Sequence, residues 1–397
     1  MVAIETDVNR PSVPLDGATL TATVDVEPDA GNDSGVSERH VLLCLDTSGS
    51  MDGEELEKAR DGASWVFGLL EPDDYVGIVA FDSEASVVMR PTRWGDTSRE
   101  DAMHRVDGLG AGGGTDMYDG LETARRALDS LSYRPETDDA VRRILLLSDG
   151  KDNEHEPADF RDLAAEIDES GVRILSAGIG TDYDEETIRT LGTTARGEWT
   201  HLDAPGDIES FFGEAVEQAQ SVVATDAALE LDAADGVEVS EVYRALPQAH
   251  DVDPDWSGNT ATVPLPDLTE REDQRVVFKV HAPASEDPGG AALVDVTLTA
   301  SGRRSEDVVG VEYTDDNAAL AEHNESVSLD HRRTVVRTEL GKGNVEAAET
   351  ELETMTRIHG EDTAVVEETR RQTRLVSEGG REEREEATRI VDDARIE

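Results

Sequence analysis

The segment HVLLCLDTSGSMDG, residues 40–53, ends an apolar run with one carboxylate and two hydroxyls. Asp46 follows the run directly, and Ser48 and Ser50 come at the next alternate positions. Oxygen-bearing side chains on a tight, glycine-containing turn suit a nucleophile, a phosphate cradle or a metal site. The rest of the chain has to decide among these three kinds of chemistry.

Two further segments contribute oxygen donors in a similar context. In GLGAGGGTDMYDGL, residues 108–121, Thr115 follows a glycine run and precedes an amphipathic stretch. In LLLSDGKDN, residues 145–153, Asp149 follows a second apolar run. These residues and the first turn together supply five oxygen donors, of which three are neutral hydroxyls. Because Mg²⁺ binds roughly six oxygens in octahedral geometry, such a set leaves room for a carboxylate from outside.

The first turn can also be interpreted without a metal. Asp and Ser cap helices, and an amphipathic stretch begins near Glu54, but capping leaves Thr115 and Asp149 unexplained. A phosphoaspartate hydrolase needs a second Asp two residues after the first, where this chain has Ser48. A serine nucleophile needs the pattern Gly-x-Ser-x-Gly, which neither serine has. The residues therefore favour a metal site.

Two other motifs lack the context that their usual chemistry requires. The run GLGAGG matches Gly-x-Gly-x-x-Gly, but it follows an amphipathic stretch instead of a strand, which disfavours a dinucleotide site. We expect its glycines to let the backbone bring Thr115 close to the cation. The segment DVDPDWSGN, residues 251–259, resembles a calcium loop, but Trp256 and Thr262 replace its glycine and its final glutamate.

Hydrophobic periodicity predicts the elements that carry these loops. Buried parallel strands are predicted at four apolar runs: residues 41–45, 75–81, 144–147 and 172–179. Helices are predicted at six amphipathic stretches: residues 54–70, 98–107, 117–131, 157–169, 184–192 and 206–222. This alternation is typical of a doubly wound α/β sheet, in which sites form at the carboxyl ends of the strands.

The chain is predicted to divide into four segments. A strictly alternating, half-buried strand at 18–26 lies in the first of them and has no sheet partner nearby in sequence. We expect it to join the later β-sandwich, which makes the α/β domain an insertion. The predicted segments are an N-terminal strand region (1–36), the α/β domain (37–222), an antiparallel β-sandwich (223–314) and a helical tail (315–397).

The five donors keep an order and spacing that carry a family resemblance: Asp46, Ser48, Ser50, Thr115 and Asp149. This set resembles the metal-ion-dependent adhesion site (MIDAS) of von Willebrand factor A (VWA) domains, over about 180 residues of the chain. The resemblance implies that the two serines and the threonine contact the cation directly and that the two aspartates act through water. It also implies that an acidic side chain of a partner protein completes the coordination.

Further residues are expected around the cation or in contact with the partner: Asp52, Gly114, Asp116 and Asp152. Asp116 departs from similar bacterial proteins, which often have Asn after the threonine, and a second carboxylate there would tighten cation binding or repel an acidic ligand. A looser resemblance involves LPDLTEREDQRVVFKVHAP, residues 265–283. This segment is similar to the β-domain of microbial relatives of inter-α-trypsin-inhibitor heavy chains.

Composition restricts the partners of the chain. It has 90 acidic and 36 basic residues and a net charge of −54, and its acid-rich, lysine-poor character resembles proteins of salt-loving archaea. Nucleic acid is excluded as a partner, because phosphate binding needs clustered Lys and Arg. The single cysteine, Cys44, excludes an intrachain disulfide and a cysteine metal cluster.

The same sequence features suggest a cytoplasmic location. The N-terminal residues 1–17 lack the basic start and apolar core of a secretory signal. Apolar runs also stay shorter than the roughly 18 residues that cross a bilayer.

Together these observations predict a non-enzymatic, Mg²⁺-dependent protein-binding module, with Mn²⁺ or Ca²⁺ as alternative cations. The partner is expected to be a protein that presents an Asp or Glu. Two other functions remain open. One is an assembly factor or co-chaperone-like subunit that acts with a separate AAA-type ATPase, since the chain has no Walker motif. The other is a metal-dependent hydrolase, for which Asp116 and Asp152 are the only nearby candidate bases.

Overall fold

The computed structural model describes residues 2–28, 38–131, 140–152, 154–180, 183–202, 204, 206–270, 272–361 and 363–378. The chain forms two compact units. The discontinuous unit comprises Met1–Gly31 and Asp226–Glu397, and the inserted unit comprises Asn32–Thr225. The N-terminal strands of the discontinuous unit are β1 (Val2–Val8), β2 (Ser12–Val13) and β3 (Ala18–Pro28).

The inserted unit is built on a six-stranded sheet with the order β6-β5-β4-β7-β8-β9. All neighbours in this sheet are parallel except β6, which is antiparallel to β5. The four predicted strands are confirmed as β4, β5, β7 and β8. The strands of this unit are β4 (Arg39–Asp46), β5 (Tyr75–Phe81), β6 (Ala85–Arg93), β7 (Val141–Ser148), β8 (Val172–Ile179), β9 (Glu198–Leu202) and β10 (Val222–Ala224).

The two edge strands of this sheet were not predicted. Only one of the nine residues of β6 is buried and Pro91 lies within the strand, and β9 is only five residues long, so neither shows a continuous apolar run. The predicted strands are all parallel, and only the unpredicted edge strand β6 runs antiparallel to its neighbour. The physical reason that the edge strands were not predicted is that an edge strand buries fewer side chains than a central one and shows a weaker sequence pattern.

Helices cover both faces of this sheet, which confirms the doubly wound fold. Side chains of β4 alternate between two separate cores. Leu43 packs with α1, α2 and α6, whereas Leu42 and Cys44 pack with α3, α4 and α5. Burial on both faces explains why β4 is a continuous apolar run. The helices are α1 (Glu54–Leu69), α2 (Arg99–Asp107), α3 (Met117–Asp129), α4 (Pro157–Glu169), α5 (Glu185–Thr194) and α6 (Asp207–Ser221).

The discontinuous unit contains two sheets, with the orders β1-β3-β17-β12-β13 and β14-β15-β11-β18-β19-β2. The N-terminal strand β3 pairs antiparallel with β17, so segments that precede and follow the inserted unit in sequence share one sheet. In the second sheet only β2 and β19 are parallel. The remaining strands are β11 (Ala228–Ala233), β12 (Glu238–Leu246), β13 (His250–Asp251), β14 (Asp255–Ser257), β15 (Thr260–Pro264), β16 (Leu268–Thr269), β17 (Gln274–Ala282), β18 (Gly289–Ala300) and β19 (Arg303–Tyr313).

Helices follow these strands, as predicted for the C-terminal region. Ala348, Leu352 and Met355 of α9 are buried, and they pack with residues of α8 and α10. The charged run REEREE at 381–386, which belongs to the predicted helical tail, lies outside the described residues. The helices are α7 (Asn317–Leu320), α8 (Glu325–Gly341), α9 (Val345–His359) and α10 (Ala364–Glu378). Among the described helices, none combines the length and apolar character that crossing a bilayer requires.

Strand β3 is buried more completely than its alternating pattern predicts. The apolar residues of this strand point to one face, but Thr21 and Thr23 on the other face are also only 7% and 2% exposed. Helix α8 packs against β3, β12 and β17 and covers this second face. The prediction of a half-buried strand is therefore wrong, because a helix that is distant in sequence removes the second face from water.

Candidate metal centre

The order of strands in the inserted unit places the candidate site at a topological switch point. The first strand of the sheet, β4, has β5 on one side and β7 on the other. Connections leaving neighbouring strands in opposite directions open a crevice at their carboxyl ends. Asp46 is the last residue of β4 and Ser148 the last residue of β7, so Asp149 begins the adjoining loop.

Asp46 is a buried carboxylate held at both oxygens. Its side chain is 0% exposed. Oδ1 accepts a hydrogen bond from the Ser48 N–H at 2.8 Å, and Oδ2 accepts one from the Ser148 hydroxyl at 2.5 Å. Burial raises the pKa of Asp46 to about 6, although both hydrogen bonds favour the charged form. A cation beside this group would favour its charged form further.

The hydroxyls of the first turn form a chain that reaches the third loop. The Ser48 and Ser50 oxygens lie 3.1 Å apart, and the Ser50 hydroxyl donates to Asp149 Oδ1 at 2.8 Å. Ser48 is buried whereas Ser50 is exposed. The donors therefore extend from the interior of the crevice to its mouth.

Thr115 joins the same cluster from the loop that precedes α3. It is 7% exposed. A Cβ atom placed on Gly150 would lie 3.2 Å from Thr115 Oγ1 and 3.8 Å from Ser50 Oγ. The missing side chain of Gly150 thus leaves open the space next to both hydroxyls.

Backbone hydrogen bonds hold the glycine run against the first turn. The Gly49 N–H donates to the Gly113 carbonyl at 3.3 Å, and the Gly112 N–H donates to the Thr47 carbonyl at 2.9 Å. Gly113 has a φ of +77°, which favours glycine. These contacts agree with the expectation that the glycines bring Thr115 towards the first turn.

The five predicted donors therefore converge from three loops, and all of them present oxygen. Hard oxygen ligands of this kind suit Mg²⁺, Mn²⁺ or Ca²⁺ and disfavour soft metals. The buried Asp46 carboxylate supplies negative charge in the interior of the crevice, and the partly exposed Asp149 carboxylate supplies it at the mouth. The residues present fit a small divalent cation.

Of the neighbouring residues that were singled out, Asp52 and Gly114 lie on the loops of the site. Asp52 is exposed, and its N–H donates to the Gly49 carbonyl at 3.4 Å. The Gly114 N–H donates to the Ser83 hydroxyl at 2.7 Å. Asp52 is therefore accessible to a partner, and Gly114 ties the Thr115 loop to the loop after β5.

The two other neighbours are engaged by backbone groups. Asp116 is the N-cap of α3 and accepts from the Asp119 N–H at 2.9 Å. The side chain of Asp152 is only 3% exposed, and its Oδ2 accepts from the Met117 N–H at 2.8 Å. This carboxylate is buried against the start of α3, which disfavours direct contact with a partner. Its other expected role, close to the cation, stays a prediction.

The structure also places His155, which sequence reasoning did not connect with the site, beside Asp116 and Asp152. Ligand atoms of Asp116, Asp152 and His155 lie within 4.8 Å of one another. The His155 ring stacks on Tyr118 with 4.4 Å between centroids, and the His155 Nδ1 atom lies 3.1 Å from Asp152 Oδ1. The spacing Asp-x-x-His at 152–155 was the available signal. Both carboxylates accept hydrogen bonds from backbone N–H groups at the start of α3, a contact that is typical of helix-capping side chains.

Ser148 is the second residue that was missed. It is a lone hydroxyl at the end of the run ILLLS, and it is completely buried. Its direct contact with Asp46 joins two strands that are far apart in sequence. Nothing in the spacing around Ser148 predicts this contact.

Comparisons with known proteins agree on the fold. Residues 40–214 match the model of the von Willebrand factor type A domain. A von Willebrand factor type A structure from Catenulispora acidiphila superposes with a TM-score of 0.82 at 19% identity, covering 99% of this chain and 96% of that one. The ArnB paralogue VWA2 of Sulfolobus acidocaldarius gives a TM-score of 0.65 at 17% identity, covering 100% and 99%. At these identities the likeness shows the fold alone.

Proteins that are similar in sequence match a smaller share of this chain than the two structures do. An uncharacterized protein of Synechocystis is 25% identical over 246 residues, which are 61% of this chain and 57% of that protein. Human inter-alpha-trypsin inhibitor heavy chain H4 is 24% identical over 190 residues, which are 44% of this chain and 20% of that protein. The matched regions thus cover less than two thirds of the length of both relatives.

Proposed function

Because residues 40–214 are a von Willebrand factor type A domain, we propose that this domain binds a partner protein through a divalent cation. VWA domains commonly mediate metal-dependent protein interactions. In this proposal Ser48, Ser50 and Thr115 hold the cation, and the carboxylate of a partner Asp or Glu completes its coordination. The cation supplies the positive charge that an acidic surface otherwise lacks.

The observation that supports this proposal is the convergence of oxygen donors from three separate loops. Ser50 Oγ lies within 3.1 Å of Ser48 Oγ and 2.8 Å of Asp149 Oδ1. Three of the five donors are neutral hydroxyls, and these three are the ones proposed to contact the cation directly. With its hydroxyl ligands uncharged, the cation remains attractive to an anionic ligand from outside.

We propose Mg²⁺ as the physiological cation because the donors are all oxygen and Mg²⁺ tolerates a small, partly hydrated site. Mn²⁺ and Ca²⁺ share the preference for oxygen ligands. Calorimetric titrations of the full chain with Mg²⁺, Mn²⁺ and Ca²⁺ will rank the affinities of the three ions.

A binding role is proposed over a hydrolytic one. Hydrolysis would need a free general base near the cation, and the candidates were Asp116 and Asp152. Both accept hydrogen bonds from backbone N–H groups at the start of α3. These contacts support a capping role for the two carboxylates.

The proposal is tested by affinity capture with the full chain as bait. The bait is incubated with a high-salt lysate of the source cells, in Mg²⁺ or in EDTA. Three baits are compared: wild type, Asp149→Ala and Asp162→Ala. Asp162 is an exposed residue of α4 in the same unit, so the control changes the net charge equally without touching the site.

A partner that is retained by wild type and Asp162→Ala in Mg²⁺, but lost in EDTA or with Asp149→Ala, is the expected result. Mass spectrometry of that partner also tests the ATPase-linked alternative, which requires it to be an AAA-type ATPase. Equal capture by Asp149→Ala and wild type contradicts the proposal.

A further inference from the structure

Ser148 lies between the two acidic loops of the site. It ends β7, is 0% exposed, and donates its hydroxyl hydrogen to Asp46 Oδ2 at 2.5 Å. The Gly150 N–H donates to the same Ser148 oxygen at 3.3 Å. One side chain therefore contacts the end of β4 and the loop that follows Asp149.

The direction of these hydrogen bonds follows from the chemistry of a hydroxyl. A serine has one proton to donate and two lone pairs that accept. Because the Gly150 N–H uses a lone pair and Asp46 can only accept when ionised, the proton of Ser148 is directed to Asp46. The other Asp46 oxygen is held by the Ser48 N–H, so the carboxylate cannot rotate freely.

The contact also lies where the backbone no longer joins the strands. The paired residues of β4 and β7 end with Leu45 and Leu147. Beyond that pair, side chains join the two loops. Ser148 contacts Asp46 in the interior, and Ser50 contacts Asp149 at the mouth.

We propose that Ser148 is a positioning residue of the cation site, which sets cation affinity by fixing the Asp46 carboxylate relative to the Asp149 loop. This inference rests on the proposed function, since it needs a cation at the site. Groups that hydrogen-bond to metal-associated side chains, without contacting the metal, commonly change metal affinity by ~10–100-fold when removed. Ser148 has the burial and the two directed hydrogen bonds that such a role requires.

The test is isothermal titration calorimetry of the full chain with Mg²⁺ in 2 M KCl, after removal of metal with EDTA and dialysis. Wild type is compared with Ser148→Ala and Ser148→Thr, and the heat of Asp149→Ala is subtracted as non-specific binding to surface acids. Ser176→Ala is the matched control. Ser176 is also 0% exposed, lies on the adjacent strand β8, and donates to the Ile188 carbonyl at 2.7 Å away from the site.

Ser148→Ala is expected to bind Mg²⁺ at least ~10-fold more weakly than wild type, whereas Ser148→Thr recovers most of the affinity because it restores the hydroxyl. Ser176→Ala should keep the wild-type affinity although it also loses a buried hydrogen bond. Unchanged affinity in Ser148→Ala, or equal losses in Ser148→Ala and Ser176→Ala, overturns the positioning role. If wild type binds no more Mg²⁺ than Asp149→Ala, the proposed cation site itself fails, which is a different result.

Discussion

When no cation is bound, the ionised form of the buried Asp46 carboxylate lowers the stability of the folded protein. Burial raises its pKa from 3.8 to about 6. A difference of about two pKa units corresponds to about 3 kcal/mol between the two protonation states. The stabilisation that comes from protonating Asp46 is complete below pH 3.8 and is lost as the pH rises through 6. At neutral pH a bound cation would offset this cost.

Gly150 lies so close to Thr115 that adding one carbon atom at this position should disturb the site. A Cβ at this position lies 3.2 Å from Thr115 Oγ1, which is tighter than normal packing, so the Thr115 hydroxyl must move. Gly150→Ala is expected to weaken Mg²⁺ binding by about tenfold, or about 1.4 kcal/mol, while folding is retained. Calorimetric titration of the full chain measures this change.

The control for this prediction is Gly206→Ala in the same unit. A Cβ on Gly206 meets no atom within 4 Å, and its φ is −63°. This variant should bind Mg²⁺ like wild type. Equal affinities for Gly150→Ala and wild type would contradict the expectation that cation binding needs the Thr115 hydroxyl in its present position.

At the scale of elements, helix α8 docks on the five-stranded sheet through charged side chains as well as apolar ones. Lys279 pairs with Glu241 at 2.5 Å, and His331 Nε2 lies 3.7 Å from Glu241 Oε2. Arg275 bonds to Asp330 of the helix. Helix α8 buries polar residues such as His331, Thr334 and Arg337, so its apolar pattern is weak. Its packing depends on the charge state of His331, which is the titratable group among them near neutral pH.

His331 makes this packing pH-dependent. The residue is 5% exposed, and burial together with Lys279 and Arg332 lowers its pKa to about 4, against the opposing effect of Glu241. Since the unfolded chain titrates near 6.5, stability from neutral His331 is complete above pH 6.5 and is lost as the pH falls to 4. The loss amounts to about 3 kcal/mol.

Thermal unfolding of wild type and His331→Gln, in EDTA at pH 8 and pH 4.5, measures this effect. Wild type should lose more stability than the variant over this range, by about 2–3 kcal/mol. Other titrating groups, including Asp46, are present in both proteins and cancel in the comparison. Parallel pH profiles would mean that His331 is protonated in the folded protein without a cost.

At the scale of the whole molecule, the dominant property is a net charge of −54. Like charges at this density repel one another and destabilise the compact state unless salt screens them. The Debye length falls from about 10 Å at 0.1 M salt to about 3 Å at 1 M. Stability should therefore depend strongly on ionic strength.

Raising KCl from 0.1 M to 2 M, with EDTA present to exclude divalent ions, is expected to raise the unfolding temperature by about 10 °C, or several kcal/mol. Differential scanning calorimetry gives this shift. Most of this increase in unfolding temperature should occur below 1 M KCl, because the Debye length is already about 3 Å at that concentration. A sucrose series provides the control, since sucrose stabilises by exclusion without screening charge. An unfolding temperature that is constant in KCl contradicts the expectation.

Local patterns in the sequence determined much of the architecture and the candidate donors. Central strands are buried on two faces, so β5 and β8 were predicted with the same bounds that the structure has. The predicted resemblance to VWA domains is confirmed by the family match over residues 40–214. The five donors were found because each stands in a distinctive local context, at the end of an apolar run or a glycine run. Their role as cation ligands stays a prediction.

The tertiary structure decided what depends on contacts between distant residues. Ser148 and Asp46 are 102 residues apart, and no local pattern shows that one hydroxyl donates to the other. Asp152 resembles an accessible carboxylate in the sequence, but the start of α3 buries it. Thr21 and Thr23 look solvent-facing in an alternating strand until α8 covers them. In each case the environment of a side chain comes from a distant part of the chain, and local periodicity carries no information about it.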